Sequence, residues 1–319
     1  MLRALILLLV AFGPHTSTAQ TFPVARCINM GAALEAPIEG DWGYVIQRRH
    51  IDRIAQAGFD TIRLPVKFSA HFKNGAFDPA FLARVDEVVG WTQDADLNVI
   101  LVLHHYWDLM DTGTDAHKAN LIAMWRVLGQ HYADAPQSVL FELLNEPEGT
   151  LTTADAAALY DTILSDLRPA HPTRWIIMGG DEWNNIDSLA DLPDPDPYDM
   201  HTFHFYEPWQ FTHQGAPYVQ ADLPRSGWGS DADRATLSQR FDVATAQNRP
   251  LFLGEFGVYD AAPRPDHIRW LRAVRQAAEA HGIPWCHWGF TQGEQAGFQA
   301  FDVDRDDWRA GVLDALMGD

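Results

Sequence analysis

Two glutamates carry the chemistry this sequence offers. Glu146 stands in SVLFELLNEP at 138–147 and Glu255 in PLFLGEF at 250–256. Each closes a short apolar run that reads as a buried strand. In the first run Val139, Leu140, Phe141, Leu143 and Leu144 are β-formers or bulky apolars. Pro147 cannot donate to a ladder, so the strand should stop there. The carboxyl ends of strands are where α/β sheets place their active groups. Taken alone, Glu146 reads equally well as a surface glutamate before a turn. Opposed across a cleft, two carboxylates suit hydrolysis of a glycosidic bond. One protonates the departing oxygen, and the other attacks the anomeric carbon or activates water.

Further reactive types fall at or near the ends of neighbouring apolar runs. They are Arg63 in TIRLPV, His104 after NVILVL, Asn145 beside Glu146, His204 and Tyr206 in HFY, and Trp288 in IPWCHWGF. An arginine in an apolar strand is costly unless paired. Arg63 near Glu255 would hold that carboxylate ionised, because a nearby cation favours the charged form. Glu142 shares strand parity with Glu146 and is expected as a buried partner of Arg63 or a neighbour. His104 reads equally as a core histidine or a ligand group, His105 as structural or rim, and Trp288 as core or sugar platform. His201 and His204, three apart on a strand, should point to opposite faces, so no metal and no cofactor is expected. Trp42, Trp107 and Trp209, with Trp183 and Trp228, fall in loops after strands. There an indole can stack on a sugar's C–H face or simply pack the loop.

The elements that must position these groups alternate along the chain. Strands are predicted at 27–30, 61–66, 98–104, from 138, at 173–179, 200–205, 250–256 and 283–290. Helical spacing is predicted over 45–57, 79–95, 116–132, from the Thr152 cap to about 167, and over 233–247, 265–281 and 308–317. The proline-rich DLPDPDPY at 191–198 reads as a loop, because the alternation resumes after it. Eight strand–helix units imply a parallel α/β sheet closed as a single-domain (β/α)₈ barrel. A doubly wound sheet is the alternative, but no GxGxxG follows the first strand.

Composition narrows the partners. The chain has 319 residues, 47% hydrophobic, with a formal charge of −20. No basic stripe exists to neutralise phosphates, which argues against nucleic acid and against an anionic membrane surface. Residues 1–19 have the form of a signal peptide: Arg3, an apolar stretch, then Ser17-Thr18-Ala19 before a cut at Gln20. A membrane anchor competes, but the run is short for a span. The mature barrel is expected over 20–319, secreted or periplasmic. Cys27 and Cys286 form no CxxC motif; export permits a disulfide between them, and the sequence leaves its formation open.

Taken together, LLNEP at 143–147, GEFG at 254–257, IRLPV at 62–66 and HFY at 204–206 resemble glycoside hydrolase family 5, whose members are retaining (β/α)₈ enzymes. The resemblance spans the mature chain. It implies Glu146 as acid/base and Glu255 as nucleophile, held by Arg63 and Tyr206. It implies Asn145 as a 2-hydroxyl ligand, His104 and Trp288 as sugar-binding groups, and a non-proline cis peptide after Trp288. EPWQFTHQGA at 207–216 resembles a segment of members acting as cellulases. The activity implied is a monomeric endo-β-1,4-glucanase acting on a polysaccharide or oligosaccharide; β-mannanase and β-1,3-glucanase share the mechanism. A non-catalytic carbohydrate-binding barrel would keep the tryptophans and lose a glutamate or its support, and none is lost. Asn29-Met30-Gly31-Ala32 departs from the family's N-x-G-N stretch, with Ala32 in place of the second asparagine.

Overall fold

The computed structural model describes residues 21–219, 224–291, 293 and 297–318. The expected signal peptide lies outside them. Eight parallel strands close a barrel: β1 Arg26–Asn29, β2 Thr61–Val66, β3 Asn98–Leu103, β4 Val139–Glu142, β5 Ile176–Gly179, β6 Asp199–Phe205, β7 Leu251–Phe256 and β8 Trp285–His287. Strand β8 pairs with both β7 and β1, so no edge remains in the ring. Closure excludes the doubly wound alternative. The continuous apolar run NVILVL suits a strand covered on both faces, inside by the barrel core and outside by helices.

Local signals explain the main helices. They are α1 Arg48–Gln56, α2 Pro79–Asp94, α3 Asp115–His131, α4 Thr153–Leu167, α5 Asp231–Thr245, α6 Arg264–Ala280 and α7 Val312–Met317. Asp78 caps α2 by accepting from the Ala80 and Phe81 N–H groups at 2.8 and 3.2 Å, with Pro79 at the first helical position. Thr152 caps α4 through a reciprocal box with Asp155, as its sequence predicts. The Ser230–Asp233 box does the same for α5. That helix therefore starts two residues before the predicted Asp233, which is the third helical position of the box.

Four expectations are corrected. Strand β4 ends at Glu142 rather than at Pro147, although the Leu143 N–H still donates to Ile177 O and the Asn145 N–H to Leu103 O. Strand β8 covers 285–287 instead of 283–290, its pairing to β7 shifting in register and the following Trp288–Gly289 peptide being cis. Trp308 lies in a two-stranded hairpin with Phe301, and α7 starts only after Gly311 at φ +77°. The fifth unit has no long helix. A left-handed turn at 182–184 and the 3₁₀ segment Ile186–Asp191 stand there instead, followed by Pro193, Pro195 and Pro197, which block helix continuation.

Cys27 and Cys286 are register partners on β1 and β8, and their sulfurs are bonded. With Ile100, Leu140, Ile177, Met200 and Phe252 they fill the amino-terminal layer of the barrel interior. The opposite end is left for polar groups.

Candidate active site

Arg63 organises that end. It is fully buried and sits in the middle of β2, not at its end as the apolar run suggests. All five of its N–H donors are used. Nε and Nη2 bond both oxygens of Glu142 at 2.7 and 2.6 Å. Nη1 bonds Asn29 Oδ1 and Glu255 Oε1, each at 2.7 Å. Nη2 also bonds Asn145 Oδ1 at 2.6 Å. One buried cation thus ties β1, β2, β4 and β7 together, and breaking such a cluster is far costlier than never forming it. Asn29 completes the frame by donating from Nδ2 to Gly254 O and His287 O at 3.1 and 3.2 Å.

Glu255 projects from β7 into this frame. Its Oε1 takes the Arg63 bond, and its Oε2 accepts from the Tyr206 hydroxyl at 2.9 Å. Burial raises its carboxyl; His204 opposes, Glu146 adds to the rise, and Arg63 and Tyr206 also oppose. Glu146 lies four residues beyond β4 with φ +47°, a region that non-glycine residues seldom adopt. That turn carries its carboxyl towards Glu255. Its Oε1 lies 2.6 Å from His204 Nδ1, and the same nitrogen lies 3.6 Å from Glu255 Oε2. Burial pushes Glu146 up to about 8; Arg63 opposes, while Glu142 and Glu148 add to the rise. Glu146 has no cation bonded to it, unlike Glu255, so it is the more readily protonated of the two.

Burial lowers His204 to about 4, so its ring is neutral near pH 7. Asn145 keeps a buried Nδ2 without a partner in the structure. The amide lies close enough to Glu146 to oppose the rise of its carboxyl, and its donor suits an incoming hydroxyl. His104 is buried, its Nε2 lying 3.1 Å from Glu35 Oε2 without hydrogen-bond alignment, and its Nδ1 has no partner. Its ring is parallel to Trp288 within 4°, at a centroid distance of 5.7 Å. Gly31 makes room for that indole: a Cβ there would lie 3.1 Å from the ring.

The predicted residues Arg63, His104, Asn145, Glu146, His204, Tyr206, Glu255 and Trp288 thus cluster at the carboxyl end of the barrel strands. Glu142 is the Arg63 partner it was expected to be. His201 instead faces outward, beside Tyr160, Asp194 and Asp199. Among the platform candidates, Trp107 stacks on His105 and Trp209 on His213, and both are about half exposed. Trp183 is similarly open, and Trp42 is half-buried against the core. For Trp228 the loop-packing alternative holds: it is buried, its backbone N–H donating to Asp266, and it offers no face to a ligand. Sequence reasoning passed over Glu35 and Asn184. Their signals are faint, a buried acid four residues after Gly31 and an amide closing GGDEWN after β5.

Two groups among the described residues bring three possible metal donors within 4.8 Å: Glu35 with His104 and His105, and Glu146 with His204 and Glu255. In the second, the shortest approach is the 2.6 Å His204–Glu146 hydrogen bond, whose proton a metal would have to displace. Among the described residues no helix is long and apolar enough to cross a membrane.

Residues 23–294 match the family described as Cellulase (glycosyl hydrolase family 5). Endoglucanase H of Acetivibrio thermocellus is 31% identical over 269 residues, 82% of this chain and 29% of that protein. The chain therefore spans under a third of that relative's length. The crystal structure of Thermotoga maritima Cel5A in complex with cellobiose superposes with a TM-score of 0.87 at 34% identity, covering 92% of this chain and 98% of that one. A second structure of that protein, in complex with mannotriose, gives the same values.

Proposed function

The chain belongs to the cellulase family, glycosyl hydrolase family 5, and from that premise we propose that this glycoside hydrolase is an exported endo-β-1,4-glucanase working by double displacement. Glu146 gives its proton to the glycosidic oxygen as Glu255 bonds the anomeric carbon and the leaving sugar departs. Glu146, now a carboxylate, then takes a proton from water. The hydroxide oxygen bonds the anomeric carbon and Glu255 is released.

One observation carries this reading. The nearest donor atoms of Glu146, His204 and Glu255 lie within 4.8 Å of one another. Retaining enzymes hold their carboxyl groups about 5–5.5 Å apart, and inverting ones about 6.5–9.5 Å to admit water. The division of roles follows from the surroundings: the acid lacks a bonded cation, and the nucleophile is bonded to Arg63 and Tyr206. On this reading the Asn145 amide bonds the 2-hydroxyl, and the half-exposed Trp107 and Trp209 offer their free faces to neighbouring sugars.

The test is stereochemical. NMR should show a first product of β configuration. Glu255→Ala should lose almost all activity on every substrate. Glu146→Ala should still cleave substrates with good leaving groups, stall, and be restored by azide with a β-glycosyl azide as product. A first product of α configuration would refute the mechanism. Azide rescue giving the β product from Glu255→Ala and the α product from Glu146→Ala would reverse the roles. A second reading, β-mannanase, is favoured by the mannotriose bound to the Thermotoga maritima protein. Reducing-sugar release from cellulose, β-1,3-glucan, mannan and xylan decides between them.

A further inference from the structure

Asn184 lies beneath the acid and belongs to none of the groups discussed above. The three residues Glu182, Trp183 and Asn184 all have left-handed backbone, at φ +50°, +59° and +56°. Successive L residues avoid this region, because Cβ crowds the following carbonyl oxygen. The turn is held on the segment that carries the acid: the Trp183 N–H donates to Pro147 O at 3.2 Å. It is also given room. A Cβ on Gly179 would lie 2.0 Å from Asn184 Oδ1, so only glycine allows the amide to sit there. The outcome is a fully buried amide whose Nδ2 lies 3.3 Å from His204 Nε2.

We propose that Asn184 is a positioning residue that fixes the proton of neutral His204 on Nδ1 and thereby sets which oxygen of Glu146 carries the acid proton. An Asn184 N–H donor makes Nε2 the acceptor, so the single ring proton sits on Nδ1. Nδ1–H then donates to Glu146 Oε1 at 2.6 Å. With Oε1 occupied as acceptor, the acidic proton of Glu146 is left on Oε2. Apart from His204, the neighbouring Asn145 amide is the polar side chain that acts on this carboxyl by hydrogen bonding, and the Glu146 side chain is 21% exposed. The proton is therefore held where a glycosidic oxygen would arrive.

The opposite amide orientation fails during turnover. It would put the ring proton on Nε2 and leave the Nδ1 lone pair facing Glu146. Once Glu146 had given up its proton, that lone pair would face one carboxylate at 2.6 Å and another at 3.6 Å. The Nδ1–H form donates to Glu146 in both of its protonation states.

This rests on Glu146 being the acid/base, so the experiment separates the two ideas. The protein labelled with ¹⁵N-histidine, with His204 assigned from a His204→Gln control, should show Nδ1 protonated and Nε2 bare. Asn184→Asp keeps a residue that tolerates the left-handed turn but replaces the donor with an acceptor, and should move the proton to Nε2. Asn184→Gly keeps the turn without the amide and should give a mixture. In kcat/KM, Asn184→Asp should lose about 10- to 100-fold on cellooligosaccharides, part of the usual gain from general acid catalysis. It should lose under about threefold on 2,4-dinitrophenyl cellobioside, whose leaving group needs no proton. A wild-type ring protonated on Nε2, an unchanged ring in Asn184→Asp, or equal losses on both substrates would overturn the proposal. Equal losses on both substrates in Glu146→Ala would instead overturn the acid/base assignment, whatever the ring shows.

Discussion

Replacing Glu146 by glutamine should make the protein more stable in mild alkali and leave it unchanged in acid. The carboxyl titrates near 4.5 when unfolded and near 8 when folded. Between those values the folded chain keeps a proton that the unfolded chain has released. Its contribution is complete below about pH 4.5 and is lost as pH rises through about 8. At about 1.4 kcal/mol per pH unit, the full window amounts to roughly 5 kcal/mol. The side chain is 21% exposed, and solvent screening reduces this to about 2 kcal/mol. Glutamine is neutral throughout and keeps an oxygen to accept from His204. Glu35, raised to about 7 by burial, titrates in both proteins and cancels in the difference, whereas Glu255, which Glu146 also raises, is relieved in the variant and adds in the same direction. Urea unfolding at pH 5 and pH 8.5 measures it. The variant's advantage should grow from near zero to about 2 kcal/mol. An advantage that is equal at both pH values, or that shrinks with pH, would refute the claim that Glu146 holds its proton in the fold.

Three further outcomes are expected. Arg63→Met leaves Glu142 and Glu255 buried without their cation and should cost about 3–5 kcal/mol in thermal unfolding, with Arg63→Lys recovering only part because lysine lacks the planar fork. Replacing both Cys27 and Cys286 by alanine opens a link across a sequence separation of 259 residues; stability should fall by about 2–5 kcal/mol while kcat stays within about twofold, the bond being in the amino-terminal layer. Ala32 holds φ +62° against L-residue preference, so Ala32→Gly should gain about 1 kcal/mol by denaturant unfolding.

Much of the site was legible because a parallel barrel gathers the carboxyl ends of its strands at one mouth. Apolar runs ending in Glu146, His104, Tyr206 or Trp288 can be read one at a time, since each depends only on local period and on where the run stops. Glu142 was legible by strand parity with Glu146. The limits of such reading show at Trp228, which follows a strand like Trp107 and Trp209 yet is packed away, and in the fifth unit, where a left-handed turn replaces a helix.

By itself, the sequence determined the alternation of strands and helices, the cap at Thr152, and the two glutamates offered as candidates. These follow from side-chain period, backbone propensity and residue chemistry, all of which act within a few residues. Only the tertiary structure decided that Arg63 spends all five donors on four side chains, that Cys27 and Cys286 stand in register, and that Asn184 reaches His204. It also decided that burial raises the Glu146 carboxyl and that Arg63 and Tyr206 bond Glu255. Each of these depends on distances between residues remote in sequence. Such distances are set by how the strands tilt and shift as the sheet closes, and by how much water that closure removes from each charge.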